Sequence, residues 1–282
     1  MEYTKSALIK EFLQMFHSCP GNRIAEEAAL PGCGGMLCFE EPMFRFAAAD
    51  DPLFSEFKKP YVIGPAFMAP QEWLSDAKTV VSFFLPITER VRTANRGGTE
   101  TAPEWLHARI EGQNFINRYT GVLQEWLEGR GIHTVVPSSD SRFHTVVEDT
   151  KDADLHIESA WSERHAAFVS GLGTFSLSRG LITEKGIAGR FGSIIVSEEI
   201  EPDMRPYTGI EEYCIQCGAC IRNCPPKAIS FEKGKNHLLC RNYLNTMGKK
   251  YAPRYGCGKC QVNVPCEFRN PARPACAANE VS

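Results

Sequence analysis

The chain has 282 residues, 43% of them hydrophobic and 23% charged, with a formal net charge of −3. That length suits one large or two modest domains with a substantial core, and the composition excludes a disordered or collagen-like chain. No apolar run reaches the eighteen or more residues of a membrane span, and so small a net charge points by itself to no partner.

Residues 1–17 carry Glu2, Lys5, Lys10 and Glu11 and no apolar signal stretch, so a cytoplasmic location without membrane association is expected. Leu8, Ile9, Phe12, Leu13 and Phe16 repeat with a helical period over 4–18, and Pro20 and Gly21 stop it. Residues 20–70 read as irregular. The run 79–85 is apolar throughout and stopped by Pro86, the pattern of a buried central strand. Residues 92–102 read as an exposed loop. The longest predicted helix covers 103–127, with Leu106, Ile110, Phe115, Tyr119, Leu123 and Leu127 on one face, Pro103 in its first turn and Gly129 at its end. A strand at 133–136, a helix at 162–170 and short strands at 181–183 and 193–196, the last two joined by the Gly-rich 185–192, complete an α/β pattern.

Twelve cysteines without a secretion signal argue for metal or redox chemistry rather than a disulfide framework. Three lie in the first forty residues and nine follow Tyr213. Cys214, Cys217, Cys220 and Cys224, followed by Pro225, make the bacterial ferredoxin run C-x2-C-x2-C-x3-C-P. A cubane presents its iron corners a few ångströms apart, so three thiolates must come from one tight loop, which Gly218 permits. The fourth cysteine ligates the other cluster in two-cluster ferredoxins. Structural zinc sites use paired knuckles separated by a longer gap instead. A second half is present in Cys240, Cys257, Cys260 and Cys266. Crossover then groups Cys214, Cys217, Cys220 and Cys266 around one 4Fe–4S cluster and Cys224, Cys240, Cys257 and Cys260 around the other, with Cys276 as the substitute for Cys266. From residue 206 onward, eleven Lys or Arg face five Asp or Glu. Offsetting cluster charge explains this excess better than a nucleic-acid face, so nucleic acid is an unfavoured partner.

With Cys240, Tyr243 and Leu244, and then the stretch from Tyr255 through Cys257 and Cys260 to Gln261, this region resembles the C-terminal half of epoxyqueuosine reductases. Upstream, Glu163, Arg164, Ala166, Ala167 and the Gly171–Leu172–Gly173 turn resemble the same family, and residues 171–183 equally resemble respiratory reductive dehalogenases. The resemblance implies a nitroreductase-like α/β cobalamin domain over 1–203 and a two-cluster ferredoxin-like domain over 204–282. It further implies a base-off cobalamin fed with electrons by an external ferredoxin- or flavodoxin-type donor, and a small-molecule or nucleoside substrate. Glu158 then stands near the family's proton donor, where an apolar pocket would raise its pKa. Gly171, Gly173 and Ser193 become candidate cofactor contacts. Two readings from other classes stand beside this one: an electron-transfer adaptor without its own catalytic cofactor, and a flavin-containing reductase. Cys33 and Cys38 are expected to be buried, inert thiols, and Tyr213 and Tyr255 to shield cluster sulfur from water.

Overall fold

The computed structural model describes residues 4–151 and 153–273. In chain order the N-terminal part contains α1 (Lys5–Ser18), β1 (Met43–Ala48), α2 (Pro52–Glu56), α3 (Pro70–Trp73), β2 (Thr79–Pro86), α4 (Glu89–Ala94), α5 (Pro103–Glu128) and β3 (Thr134–Val135). There follow β4 (Thr145–Asp149), β5 (Leu155–Ser159), α6 (Glu163–Val169), β6 (Gly173–Phe175), β7 (Leu181–Thr183) and β8 (Gly189–Val196). The C-terminal part adds α7 (Ala219–Asn223), β9 (Ile229–Ser230), β10 (Gly234–Lys235) and α8 (His237–Tyr251).

The main sheet runs β1-β2-β8-β3 with every pair antiparallel. The predicted central strand is there: all of β2 is buried between β1 and β8. One sheet face is covered by α1 and α5, where Phe12, Phe16, Phe83, Phe115 and Tyr119 pack together. The Tyr119 hydroxyl, carried into this apolar layer, donates to the Phe12 carbonyl at 2.8 Å, so its polar atom is satisfied. The other face packs against α2, α6 and Trp161. Thr4 caps α1, its hydroxyl accepting from the Ala7 amide.

Three predictions need correction. The Gly-rich stretch 189–192 is strand: Gly189 and Gly192 leave the room that the Phe84 and Phe83 rings fill, so these glycines are packing positions. Residues 89–94 form α4 with Arg92 buried, so part of the predicted exposed loop is a docked helix. Within 20–70, β1 pairs along β2 and the short helix α2 forms.

Candidate iron–sulfur site

The ferredoxin run folds as a loop entering α7, with Gly218 at the helix N-cap at φ +69°. That left-handed conformation is open to glycine at no steric cost, which is what the tight Cys217–Cys220 loop requires. Cys240 comes from α8 and Cys257 and Cys260 from the loop after it. The structure brings Cys214, Cys217, Cys220 and Cys266 to the walls of one cavity, and Cys224, Cys240, Cys257 and Cys260 to those of a second. Cys260 touches both, so the two cavities abut. To the centres of water-sized molecules the first measures about 20 Å³ and the second about 260 Å³. Cys276 lies outside the described residues. Among the described residues no three His, Cys, Asp or Glu side chains converge on a single-ion position. The thiols stand around the two cavities.

In the metal-free chain burial raises the thiols of Cys220, Cys224, Cys257, Cys260 and Cys266, which favours their protonated form. Burial, then neighbouring thiols, pushes Cys220 up to about 11, and burial pushes Cys257 and Cys266 up to about 12. Iron must therefore displace protons on binding.

Several contacts lock the cysteine loops to the N-terminal part. Asn95 donates to the Cys257 carbonyl at 2.8 Å and Thr101 to that of Gly256 at 2.8 Å. Lys259, buried between Cys257 and Cys260, donates to the carbonyls of Asn95 and Gly97 at 2.9 and 2.6 Å. Glu267, next to Cys266, is buried and accepts from Arg96 at 2.7 Å, with the Arg92 guanidinium 3.4 Å away. Asp154, at the tip of the β4–β5 hairpin, accepts from the amides of His237 and Leu238 and so caps α8, which carries Cys240. None of Asn95, Lys259, Glu267 or Asp154 carries a metal-ligand signal in sequence, and only contact in three dimensions reveals these roles.

Glu158 sits in β5, where its carboxylate accepts from the Ala66 amide at 3.0 Å and pairs with His156 at 3.0 Å. The Ala66 amide first, then His156, holds its pKa below the usual carboxylate range, opposite to the rise expected of it. It lines neither cavity. The carboxyl with the expected character is Glu163, in the first turn of α6. Burial pushes it up to about 7, although Ser193, Trp161 and Ser138 act the other way. Ser193, fully buried, donates to one Glu163 oxygen at 2.6 Å and accepts from the Trp161 indole at 2.9 Å. The other Glu163 oxygen, Oε1, is buried with no partner. Ser193 thus acts on Glu163. The place of a side chain on Gly171 is taken by the Met204 carbonyl, and on Gly173 by the Ile182 carbonyl across the β6–β7 hairpin.

Next to Glu163, Arg164 and His165 keep solvent-accessible surface, yet burial is the leading influence on both, taking His165 down to about 3. Arg164 also feels the charge of Cys260. Cys33 and Cys38 are fully buried, and burial pushes Cys38 up to about 12. Tyr213 is buried, whereas Tyr255 remains over a third exposed, so its shielding is partial.

The 4Fe-4S binding domain family matches residues 207–230. This part of the chain is a ferredoxin-type iron–sulfur segment. No curated protein matches the chain in sequence. The mixed α/β fold as a whole is that of epoxyqueuosine reductases and reductive dehalogenases. An epoxyqueuosine reductase solved with a modified tRNA-Tyr stem loop is 17% identical, with a TM-score of 0.51 over 93% of this chain and 66% of that one. The enzyme from Bacillus subtilis is 16% identical, with a TM-score of 0.50 over 95% and 68%. The catabolic reductive dehalogenase NpRdhA is 14% identical, with a TM-score of 0.53 over 94% and 36%. The chain thus spans about two thirds of the length of the epoxyqueuosine reductases and about a third of that dehalogenase. Among the described residues no helix is long and apolar enough to cross a membrane.

Proposed function

We propose that this chain is an iron–sulfur oxidoreductase that holds two 4Fe–4S clusters and passes electrons from an external low-potential donor to a cobalamin-dependent reduction. The observation that carries the reading is the pair of abutting cavities, lined between them by eight cysteines with Cys260 touching both, within the fold of epoxyqueuosine reductases and reductive dehalogenases. The proposed ligands are Cys214, Cys217, Cys220 and Cys266 for one cluster, and Cys224, Cys240, Cys257 and Cys260 for the other. Two domains, 1–203 and 204–282, correspond to the cofactor and ferredoxin parts.

Both donor sets are all-thiol, which suits cubanes. For the corrinoid, Glu163, Arg164 and His165 supply adjacent polar groups at the start of α6, Glu163 with one buried oxygen and Arg164 exposed. The unpartnered Glu163 oxygen suits an amide donor of the corrinoid periphery. These residues fit such a ring, and Glu163, Arg164 and His165 would hold it. When bound, the corrinoid supplies a low-potential metal centre for reducing a small or nucleoside-type substrate. The protein's part is to seat that group beside the clusters, exclude water, and keep a proton on Glu163 near neutral pH, with Ser193 orienting its carboxyl. Glu158, ion-paired and below its usual pKa, suits a positioning role in the hairpin.

The test is anaerobic corrinoid binding to protein with reconstituted clusters, read by absorbance and EPR. The expected result is one base-off cobalamin per chain. Full iron content with no corrinoid bound would sink the reductase and leave a two-cluster electron carrier. Release of a yellow flavin on denaturation would point to the flavin class.

A further inference from the structure

The two cysteine-lined cavities differ in a way that two identical clusters do not require. The first has no Arg or Lys in its wall. The second is far roomier and is lined by Arg109, Arg190 and Lys235 as well as its cysteines. Lys235 acts on the Cys224 and Cys260 thiols and so offsets the charge of the cysteine set, whereas Arg109 and Arg190 act on neither. Nor are the three accounted for by carboxylates, since none of them is in an ion pair among the described residues. Arg109 donates to the Tyr255 hydroxyl at 2.8 Å and stacks on that ring, with its guanidinium carbon 4.8 Å from the centroid. Arg190, projecting from β8, donates to the Gln113 side-chain oxygen. These neutral partners fix the guanidinium groups and leave their charge uncompensated. Arg109 and Arg190 line the same cavity, and burial, and then the Arg109 charge, pushes Arg190 down to about 10. Such a pairing persists where something anionic is meant to sit between them.

The geometry points to an oxyanion-binding subsite in the second cavity, between the Cys224–Cys240–Cys257–Cys260 set and the Arg109–Arg190 pair, taking the phosphate or carboxylate group of a small ligand. It deepens the reading above by making the small-molecule ligand an anion, and it rests on that reading in that a cluster fills the cysteine end of the cavity. Arg190 and Arg109 grip the oxyanion with charge-assisted hydrogen bonds, and Lys235 adds a point charge from the β10 side. No carboxylate lines the cavity to compete with it.

The experiment is calorimetric titration of the full cluster-loaded chain with inorganic phosphate and, in a parallel arm, with acetate. Saturable binding near one anion per chain is expected. It should weaken at least about tenfold in Arg190→Gln and in Arg109→Gln, the size of one lost charge-assisted hydrogen bond. Arg190→Lys should retain most of the binding. Tighter binding of one anion identifies which group the ligand carries, and either preference supports the subsite. Absence of saturable binding in both arms overturns the proposal, as does binding unchanged in both Gln variants. Iron, sulfide and corrinoid stoichiometry on the same samples keep the two proposals apart. Loaded protein that binds corrinoid but neither anion removes the subsite alone, and protein that binds the anion but no corrinoid removes the reductase reading alone.

Discussion

Gly258 stands between two proposed ligands, Cys257 and Cys260, at φ +68°, and a methyl group there would lie 2.0 Å from the Trp105 ring. Gly258→Ala therefore meets both backbone strain and a clash with a buried indole. It should cost at least about 1–3 kcal/mol and lower the iron content. Iron analysis and thermal unfolding check this, and an unchanged iron content would remove Gly258 from the site's requirements. Glu163 makes a different prediction. Its pKa in the fold is about 7, against an unfolded value near 4.5. Below that lower value both states hold the proton. As pH rises toward 7 the unfolded chain releases its proton while the fold keeps it, so stability falls across that window. Glu163→Gln has no proton to lose. The variant should gain on the parent by about 1–3 kcal/mol between roughly pH 5 and pH 8, read as denaturant midpoints of both proteins at each pH. Parallel profiles would place Glu163 in ordinary solvent. The proposed ligands were legible in the cysteine spacing, because a cubane dictates spacing along the chain. Glu163 was visible only as part of a family motif, since its raised pKa arises from burial among residues distant in sequence.

At the scale of elements, the long amphipathic α5 and the apolar β2 were legible because periodicity and burial agree along each of them. The strand at 189–192 was hidden by its glycines, whose purpose is set by phenylalanine rings on the neighbouring strand. α8, which supplies Cys240, has a single buried residue, Met247, and so lacks a strong apolar stripe. Its N-terminus is held by Asn236 and by Asp154 from the β4–β5 hairpin. The segment carrying Cys266 is held by Glu267 against Arg92 and Arg96 of the α4 region. Glu267→Ala removes the buried carboxylate shared by Arg96 and Arg92, while Arg92 keeps Glu40 at 3.2 Å, and should cost about 1–3 kcal/mol. Because Cys266 is adjacent, cluster content should fall together with Tm. A variant with unaltered Tm and iron would show that this ion group does not position the loop.

For the whole molecule, the ferredoxin part and the sheet domain are joined through the loops that bear the thiols: Lys259, Asn95, Thr101 and Glu267 all cross between them. Cluster binding is therefore coupled to docking of the two parts. The loaded protein should contain about eight iron and eight acid-labile sulfide per chain. Removing the iron with a chelator under reducing conditions should lower Tm by at least about 5 °C. Four iron per chain in fully reconstituted protein would confine the metal to one cavity.

Sequence alone determined that this is an iron–sulfur chain with eight clustered thiols beside a mixed α/β domain, because ligand spacing and hydrophobic period are both written along the backbone. Only the tertiary structure decided that Cys260 touches both cavities, that the second cavity is larger and lined with arginines, and that Glu163 rather than Glu158 carries the raised pKa. Those properties depend on desolvation and on charges brought together from distant segments, and neither has a signature in local residue order.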